Sequence, residues 1–192
     1  MYAGKLTGSV FIDPKKSFDT VDHNILLRKL CCYGVNGNAL QLLKSYLTDR
    51  TQRCYVNGVL SREQYVSRGI PQGSIFGPLL FIIYINDFPK CLQHTTPDMF
   101  ANDTHITTAH EDISIIECSL NSDLTVQYII GLKQTNWVCN TSKTSYMTIG
   151  SRQNLVNAKF MNLEMDKRRI EQKPSTKLLG VHIDEMLYNN LG

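Results

Sequence analysis

Apolar and polar positions along this chain follow two periods, and the switches between them mark out its elements. Residues 8–13 (GSVFID) are a short β-rich run entered from turn residues, and they predict a strand. Asp22 follows as a helix N-cap. Ile25, Leu26, Leu30 and Tyr33 then recur at helical spacing, with Gly34 as a stop. A second helix is predicted over 38–47, with Leu40, Leu43, Tyr46 and Leu47 on one face. Residues 52–56, the pair Asn57-Gly58 and a further extended run to Arg68 predict a hairpin, because Asn-Gly accepts the backbone that a two-residue turn demands. A breaker-rich loop at 69–74 leads into an apolar helix over 77–87.

In the second half, residues 99–102 and 106–108 predict two strands joined by a tight turn holding Asn102 and Asp103, both tolerant of turn geometry. Residues 112–137 predict a long helix whose inner face is Ile115, Ile116, Leu120, Leu124 and Tyr128, with Gly131 weakening its end. The remainder is strand-rich, over 144–149, 158–163 and 178–183. Strands and helices intermix without the regular alternation of a doubly wound fold, which favours α+β. No repeat, low-complexity segment or linker interrupts the chain, so 1–192 reads as a single domain.

Composition narrows the picture modestly. With 192 residues and 42% hydrophobic side chains, the chain has material for a real core. Twenty basic against 17 acidic residues leave a net charge of +3, too small to imply nucleic acid by itself. The longest apolar run, 78–85, falls short of the ~18 residues of a membrane helix. No charged head followed by an apolar block opens the sequence, so an intracellular protein, nuclear or cytoplasmic, is expected. Six cysteines without a C-x-x-C pair or a complementary His cluster read as reduced thiols. His105 and His110 fall on opposite faces of the predicted hairpin and are not expected to share a metal.

Three separated segments carry candidate chemistry. Asp13 ends a predicted buried strand, in FIDPKKSFDTVDH, where a sheet presents a carboxylate at its rim. Gly69-Ile70-Pro71-Gln72-Gly73-Ser74 has two glycines that permit close backbone approach to a ligand. Phe100-Ala101-Asn102-Asp103-Thr104 is a polar hairpin tip between apolar strands. Taken singly, these are also a helix cap, a bland turn before a core helix and an ordinary β-turn.

Together and in this order they resemble motifs A, B and C of the reverse transcriptase palm, most closely that of LINE-type, non-LTR retrotransposons. Lys16 to His23, Tyr84-Ile85-Asn86-Asp87, Ser142-Lys143-Thr144 and Leu179 to Asp184 also look like that family's text at its spacing. The resemblance implies a right-hand polymerase palm, an antiparallel sheet packed on helices, with motifs A to E spread over 1–192. It implies an RNA-directed DNA polymerase that takes an RNA template, a DNA primer and deoxynucleotide triphosphates. Chemistry of that kind uses two Mg²⁺ ions about 3.5–4 Å apart, held by carboxylates and substrate phosphates. Asp13 matches the first metal-binding aspartate and Asp103 the last, while Asn102 stands where the middle one is expected. Phe18 matches the bulky residue that blocks a ribose 2′-OH. Gln72 and Gly73 match the loop against which template and nucleotide pack, and Lys143 a lysine near the leaving pyrophosphate.

The same resemblance sets expectations of impairment. Asparagine keeps aspartate's shape and loses its charge, and Pro14 replaces an aliphatic residue. Fingers and thumb are expected beyond the two ends, which makes the chain read as a fragment. An inactive or weakened remnant is therefore expected. The alternatives are a non-catalytic module that still docks nucleic acid or protein, and a fragment that does not fold stably alone.

Overall fold

The computed structural model describes residues 4–14, 16–101, 103–130 and 139–186, and for 127–130 the backbone only. Asn102, Gly131, Trp137 and the side chain of Tyr128 lie outside the described residues. The first half contains β1 (Leu6–Ile12), α1 (His23–Cys32), α2 (Gly37–Leu47), β2 (Arg50–Gln52), β3 (Tyr55–Val56), β4 (Val59–Leu60), β5 (Gln64–Val66) and α3 (Phe76–Ile85). After a 3-10 turn, Phe88–Cys91, come β6 (Thr96–Phe100), β7 (Asp103–His110), α4 (Ile113–Ile130), β8 (Ser145–Ile149) and α5 (Arg152–Asn157). Short strands close the chain: β9 (Glu164–Met165), β10 (Arg168–Arg169), β11 (Glu171–Gln172), β12 (Ser175–Leu178) and β13 (Val181–Asp184). The mixture is α+β, as its sequence predicts. The described residues fall into two compact units, 4–14 with 88–130 and 139–186, and 16–87.

In the first unit β1 is the central strand of a five-stranded sheet in the order β11-β8-β1-β7-β6. All its pairings are antiparallel except β11 with β8. Val10, Ile12 and Ile106 line one face and cluster with Ile116, Leu120 and Leu124 of α4, all buried. Each such side chain contributes roughly 1.5–3 kcal/mol on leaving water. Gly8 permits the close approach of α4: a Cβ there would stand 2.4 Å from Ile116 Cγ2 and 2.8 Å from Leu120 Cδ1.

Four expectations need correction in this unit. Ile115 is 47% exposed, because the buried stripe of α4 runs through Ile116, Leu120, Asp123 and Leu124. Asp103 is not in the turn but opens β7, paired with Phe100. Residues 158–163 form no strand although Met161 and Leu163 are fully buried around an exposed Asn162. Side chains of α4 take the place of a strand partner there: Glu117 accepts from the Asn162 N–H at 3.0 Å, and Asn121 donates to the Asn162 carbonyl at 2.9 Å. Asn121 also accepts from the Glu164 N–H at 3.0 Å, so the segment's backbone is satisfied without a ladder. Finally, 178–183 is not one strand. Leu179 (φ 50°) and Gly180 (φ 87°) turn the chain between β12 and β13.

The second unit begins with α1, whose N-cap is Asp22 as the sequence predicts. Its Oδ1 accepts from the N–H groups of Asn24 (2.9 Å) and Ile25 (3.1 Å). Leu26 and Leu30 are buried, whereas Tyr33 is exposed. From α3, Leu80, Phe81 and Tyr84 are buried. The Lys29 ammonium bonds both Asp87 and the Tyr84 carbonyl. Strands β2 to β5 form a ribbon whose tip turns at Asn57 (φ 50°) and Gly58 (φ 81°). Every residue of 49–65 is exposed.

Candidate active site

The register between β1 and β7 sets the geometry of the carboxylates. Ile12 stands opposite Thr104, so Asp13, just past the end of β1, and Asp103, the first residue of β7, lie at the same end of two adjacent strands. Side chains alternate across a sheet. Val10 and Ile106 point into the α4 core, so the odd-numbered positions of both strands lie on the other face. Phe11 and His105 occupy that face as cross-strand partners, their rings stacked at 4.6 Å and 8°. Asp103 follows His105 on that face, and Asp13 follows the end of β1 beside it. Asp13 is half-buried and Asp103 exposed.

The turn that delivers Asp103 holds backbone strain. Ala101 sits at φ 53°, in the left-handed region that a Cβ disfavours. Beneath the tip, His105 is largely buried. Burial holds its pKa below the ordinary value, against a smaller upward pull from Asp98 at 3.8 Å.

Around Asp13 the sequence reading missed a neighbour. The Asn140 N–H donates to the Asp13 carbonyl at 2.7 Å, and Asn140 Nδ2 donates to Asp13 Oδ2 at 3.2 Å. Pro14 bridges to Cys139, whose thiol is pushed up to about 12, by burial first and by the charge of Asp13 second. A polar residue just before the Ser-Lys-Thr motif is the only sequence signal that marks this turn. Lys143 lies in the same turn, exposed, its N–H donating to the Asn140 carbonyl at 3.0 Å. The first unit thus gathers Asp13, Asp103 and the turn bearing Lys143 at neighbouring strand ends.

The second unit gathers the other candidates by itself. Residues 69–72 are sewn along 18–23. The Gly69 N–H donates to the Val21 carbonyl and the Ile70 N–H to the Phe18 carbonyl, both at 2.8 Å. Gly69 (φ 90°) approaches the Asp19 backbone so closely that a Cβ would stand 3.0 Å from it. Gln72 Nε2 donates to Asp19 Oδ1 at 3.0 Å. Phe18 is half-buried and stacks on Phe81 with ring centres 4.5 Å apart. Gly73, at φ 80°, is exposed. A cavity of about 430 Å³ opens beside this loop, lined by Asp19, Arg50, Arg68 and Gln72 among others. A cavity of about 640 Å³ lies around Arg152, Phe160 and Glu185 and contains none of the candidate residues.

Carboxylate oxygens are the hard donors that a divalent cation prefers, so Asp13 and Asp103 suit one in donor type. Among the described residues no group of three or more His, Cys, Asp or Glu side chains clusters in metal-holding geometry, and the cysteines are free. No described helix is long and apolar enough to cross a membrane.

Comparison with known proteins follows the same lines. The family described as reverse transcriptase (RNA-dependent DNA polymerase) matches residues 2–183. The RNA-directed DNA polymerase from the mobile element jockey of Drosophila melanogaster is 27% identical over 188 residues, 92% of this chain and 19% of that protein. The Pol polyprotein of the type-1 retrotransposable element R2 of Popillia japonica is 30% identical over 94 residues, 49% of this chain and 16% of that protein. The chain therefore spans about a fifth, or less, of these relatives' length. Among solved structures, a telomerase from Candida albicans in complex with a TWJ fragment of telomeric RNA superposes with a TM-score of 0.63 at 15% identity. That match covers 93% of this chain and 30% of that one. Apo telomerase from Candida tropicalis gives 0.61 at 11% identity, over 96% and 32%. At such identities these structures speak for the fold, which is palm-like. With motifs in order, the palm-like fold and a match over nearly its whole length, the chain belongs to the reverse transcriptase family, among those of LINE-type retrotransposons.

Proposed function

We propose that this chain is the catalytic palm segment of an RNA-directed DNA polymerase, with Asp13 and Asp103 as its cation-holding carboxylates and with activity impaired by Asn102. The observation that supports the reading is the register that sets Ile12 opposite Thr104, which leaves Asp13 and Asp103 at neighbouring ends of adjacent strands. The substrates in this reading are an RNA template, a DNA primer and deoxynucleotide triphosphates. Extension is an in-line attack of the primer 3′-hydroxyl on the α-phosphate, with pyrophosphate leaving. Bound divalent cations would stabilise the attacking and leaving oxygens.

This chain's own residues supply position. Asp13 and Asp103 anchor the reacting centre at two strand ends. Phe18, braced by Phe81, presents a rigid ring that excludes a ribose 2′-OH. Gln72, fixed by Asp19, and the open backbone at Gly73 form the surface on which the nascent base pair rests. Lys143 carries a positive charge beside the departing pyrophosphate. Two carboxylates in place of three bind cations more weakly, since ligand charge helps set affinity. A loss of even ~3 kcal/mol of transition-state stabilisation slows the step by ~100-fold or more.

The test is primer extension on an RNA template by the unaltered chain and by Asn102→Asp. Extension at least ~100-fold faster in Asn102→Asp is expected; equal, robust extension by both ends the proposal of impairment. A second reading, binding without chemistry, draws on the exposed ribbon from Arg50 to Arg68. Arg50, Arg62 and Arg68 stand there with exposed Tyr55 and Tyr65, charges for a phosphate backbone and rings for stacking. Salt-sensitive binding of primer–template with no extension by either protein supports it.

A further inference from the structure

Asp13 lies one residue beyond the end of β1, and Pro14 after it has no N–H with which to continue the ladder. Its carboxylate would be free to swing. Asn140 prevents this at two points, by the bonds from its N–H to the Asp13 carbonyl and from Nδ2 to Asp13 Oδ2. Ser142 Oγ donates to Asn140 Oδ1 at 2.7 Å. The acceptor-only carboxylate demands the NH₂ end of the amide, and the Ser142 hydroxyl, which can donate, holds the Oδ1 end that this leaves. Thr144 completes the ring: its hydroxyl donates to the Asn140 carbonyl at 3.0 Å and accepts from the Asp13 N–H at 3.4 Å.

The choice of an amide has a chemical consequence. A Lys or Arg at this place would fix the carboxylate and also cancel the charge that a cation needs. An amide orients the carboxylate and leaves the charge in place. The strand itself does not need the side-chain bond, since β1 is already laddered on both sides by β7 and β8.

We infer that Asn140, with its amide oxygen held by Ser142, is a positioning residue that presets the Asp13 carboxylate to receive a divalent cation. The inference rests on the proposed role of Asp13 as a cation ligand. Hydrogen-bonding partners of metal-ligating groups typically contribute 10–100-fold to metal affinity.

The experiment is Mn²⁺ titration, read by water-proton relaxation, of the full chain carrying Asn102→Asp and of its combinations with Asn140→Ala, Ser142→Ala, Ser142→Thr and Asp13→Ala. Beside it, NMR couplings report the Asp13 χ1 rotamer in the metal-free proteins. Expected are about tenfold weaker Mn²⁺ binding with Asn140→Ala, a smaller loss with Ser142→Ala and none with Ser142→Thr, which keeps the hydroxyl. Asp13 should hold one rotamer with Asn140 present and average over several with Asn140→Ala. Mn²⁺ affinity that depends on Asp13 but stays within twofold in Asn140→Ala overturns this inference alone. So does an Asp13 already averaging with Asn140 in place. Affinity indifferent to Asp13→Ala overturns the cation-ligand reading and this inference with it. Should Asn140→Ala disturb folding, Ser142→Ala decides, and unchanged binding there overturns the inference.

Discussion

Asp123 Oδ2 accepts both the backbone N–H and the hydroxyl of Thr95, each at 2.8 Å. The same carboxylate takes the N–H groups of His94 (2.9 Å) and Gln93 (3.1 Å), and it is 1% exposed on the inner stripe of α4. It fixes the chain one residue before β6, and β6 with β7 builds the hairpin that ends in Asp103. Asp123→Ala would leave four donors without their acceptor. A loss of about 3 kcal/mol or more is expected, with a smaller loss for Asp123→Asn, which keeps one acceptor oxygen. Urea unfolding of the three proteins checks this; a loss below ~1 kcal/mol for Asp123→Ala would mean that water replaces the carboxylate freely.

Asp123 also shows where the sequence was readable and where it was not. A charged residue at a stripe position of an amphipathic helix is a visible signal, but its partners lie 28–30 residues away and have no pattern of their own. The strand of Asp13, the Asp22 cap and the Asn57-Gly58 turn were legible because local chemistry decides each of them. Residues 158–163 misled for a converse reason. Their alternation is real, since Met161 and Leu163 are buried, but long-range bonds from Glu117 and Asn121 replace the ladder that alternation normally signals. The candidate residues were legible as motifs. The bonds of Asn140 and Asp19, which hold Asp13 and Gln72, were not.

Ala101 sits at φ 53°, where a Cβ is unfavourable by roughly 1–2 kcal/mol. Glycine removes that strain and adds entropy to the unfolded chain, which offsets part of the gain. Ala101→Gly is expected to stabilise the first unit by about 0.5–1 kcal/mol. A denaturation midpoint that falls in Ala101→Gly would show that the methyl makes contacts worth more than its strain.

Cys139 gives the chain an alkaline weakness. Its thiol is raised from an ordinary 9.0 to about 12 by burial, with the Asp13 charge adding to the shift. The unfolded chain therefore loses this proton first as pH rises. The stabilising contribution is complete below pH 9 and disappears as pH climbs from 9 towards 12. Tyr84 and Tyr146, both raised above 10.0 chiefly by burial, act in the same direction at higher pH. Urea midpoints at pH 8 and pH 10.5 should differ more for the unaltered chain than for Cys139→Ala. Iodoacetamide at pH 8.5 should alkylate the exposed Cys31, Cys32, Cys54 and Cys118 well before Cys139. Equal rates, or an alkaline loss untouched by Cys139→Ala, would contradict the burial of the thiol.

Phe18 allows packing and selectivity to be separated. Its ring stacks on Phe81 and is only half-buried, so one part braces the second unit and the other faces outward. Truncation to alanine loses both. Tyrosine keeps the ring and its stack, whereas valine keeps bulk near the backbone and loses the ring's reach. In the Asn102→Asp background, Phe18→Val is expected to lower the preference for deoxynucleotides over ribonucleotides by at least tenfold, about 1.4 kcal/mol, in the ratio of kcat/KM values. Phe18→Tyr should leave that ratio nearly unchanged. Competition assays with paired nucleotide triphosphates read the ratio, and melting curves follow the packing. A preference that survives in Phe18→Val while stability falls would assign Phe18 to the core alone, and the residue that excludes the 2′-hydroxyl would have to be sought elsewhere along 16–23.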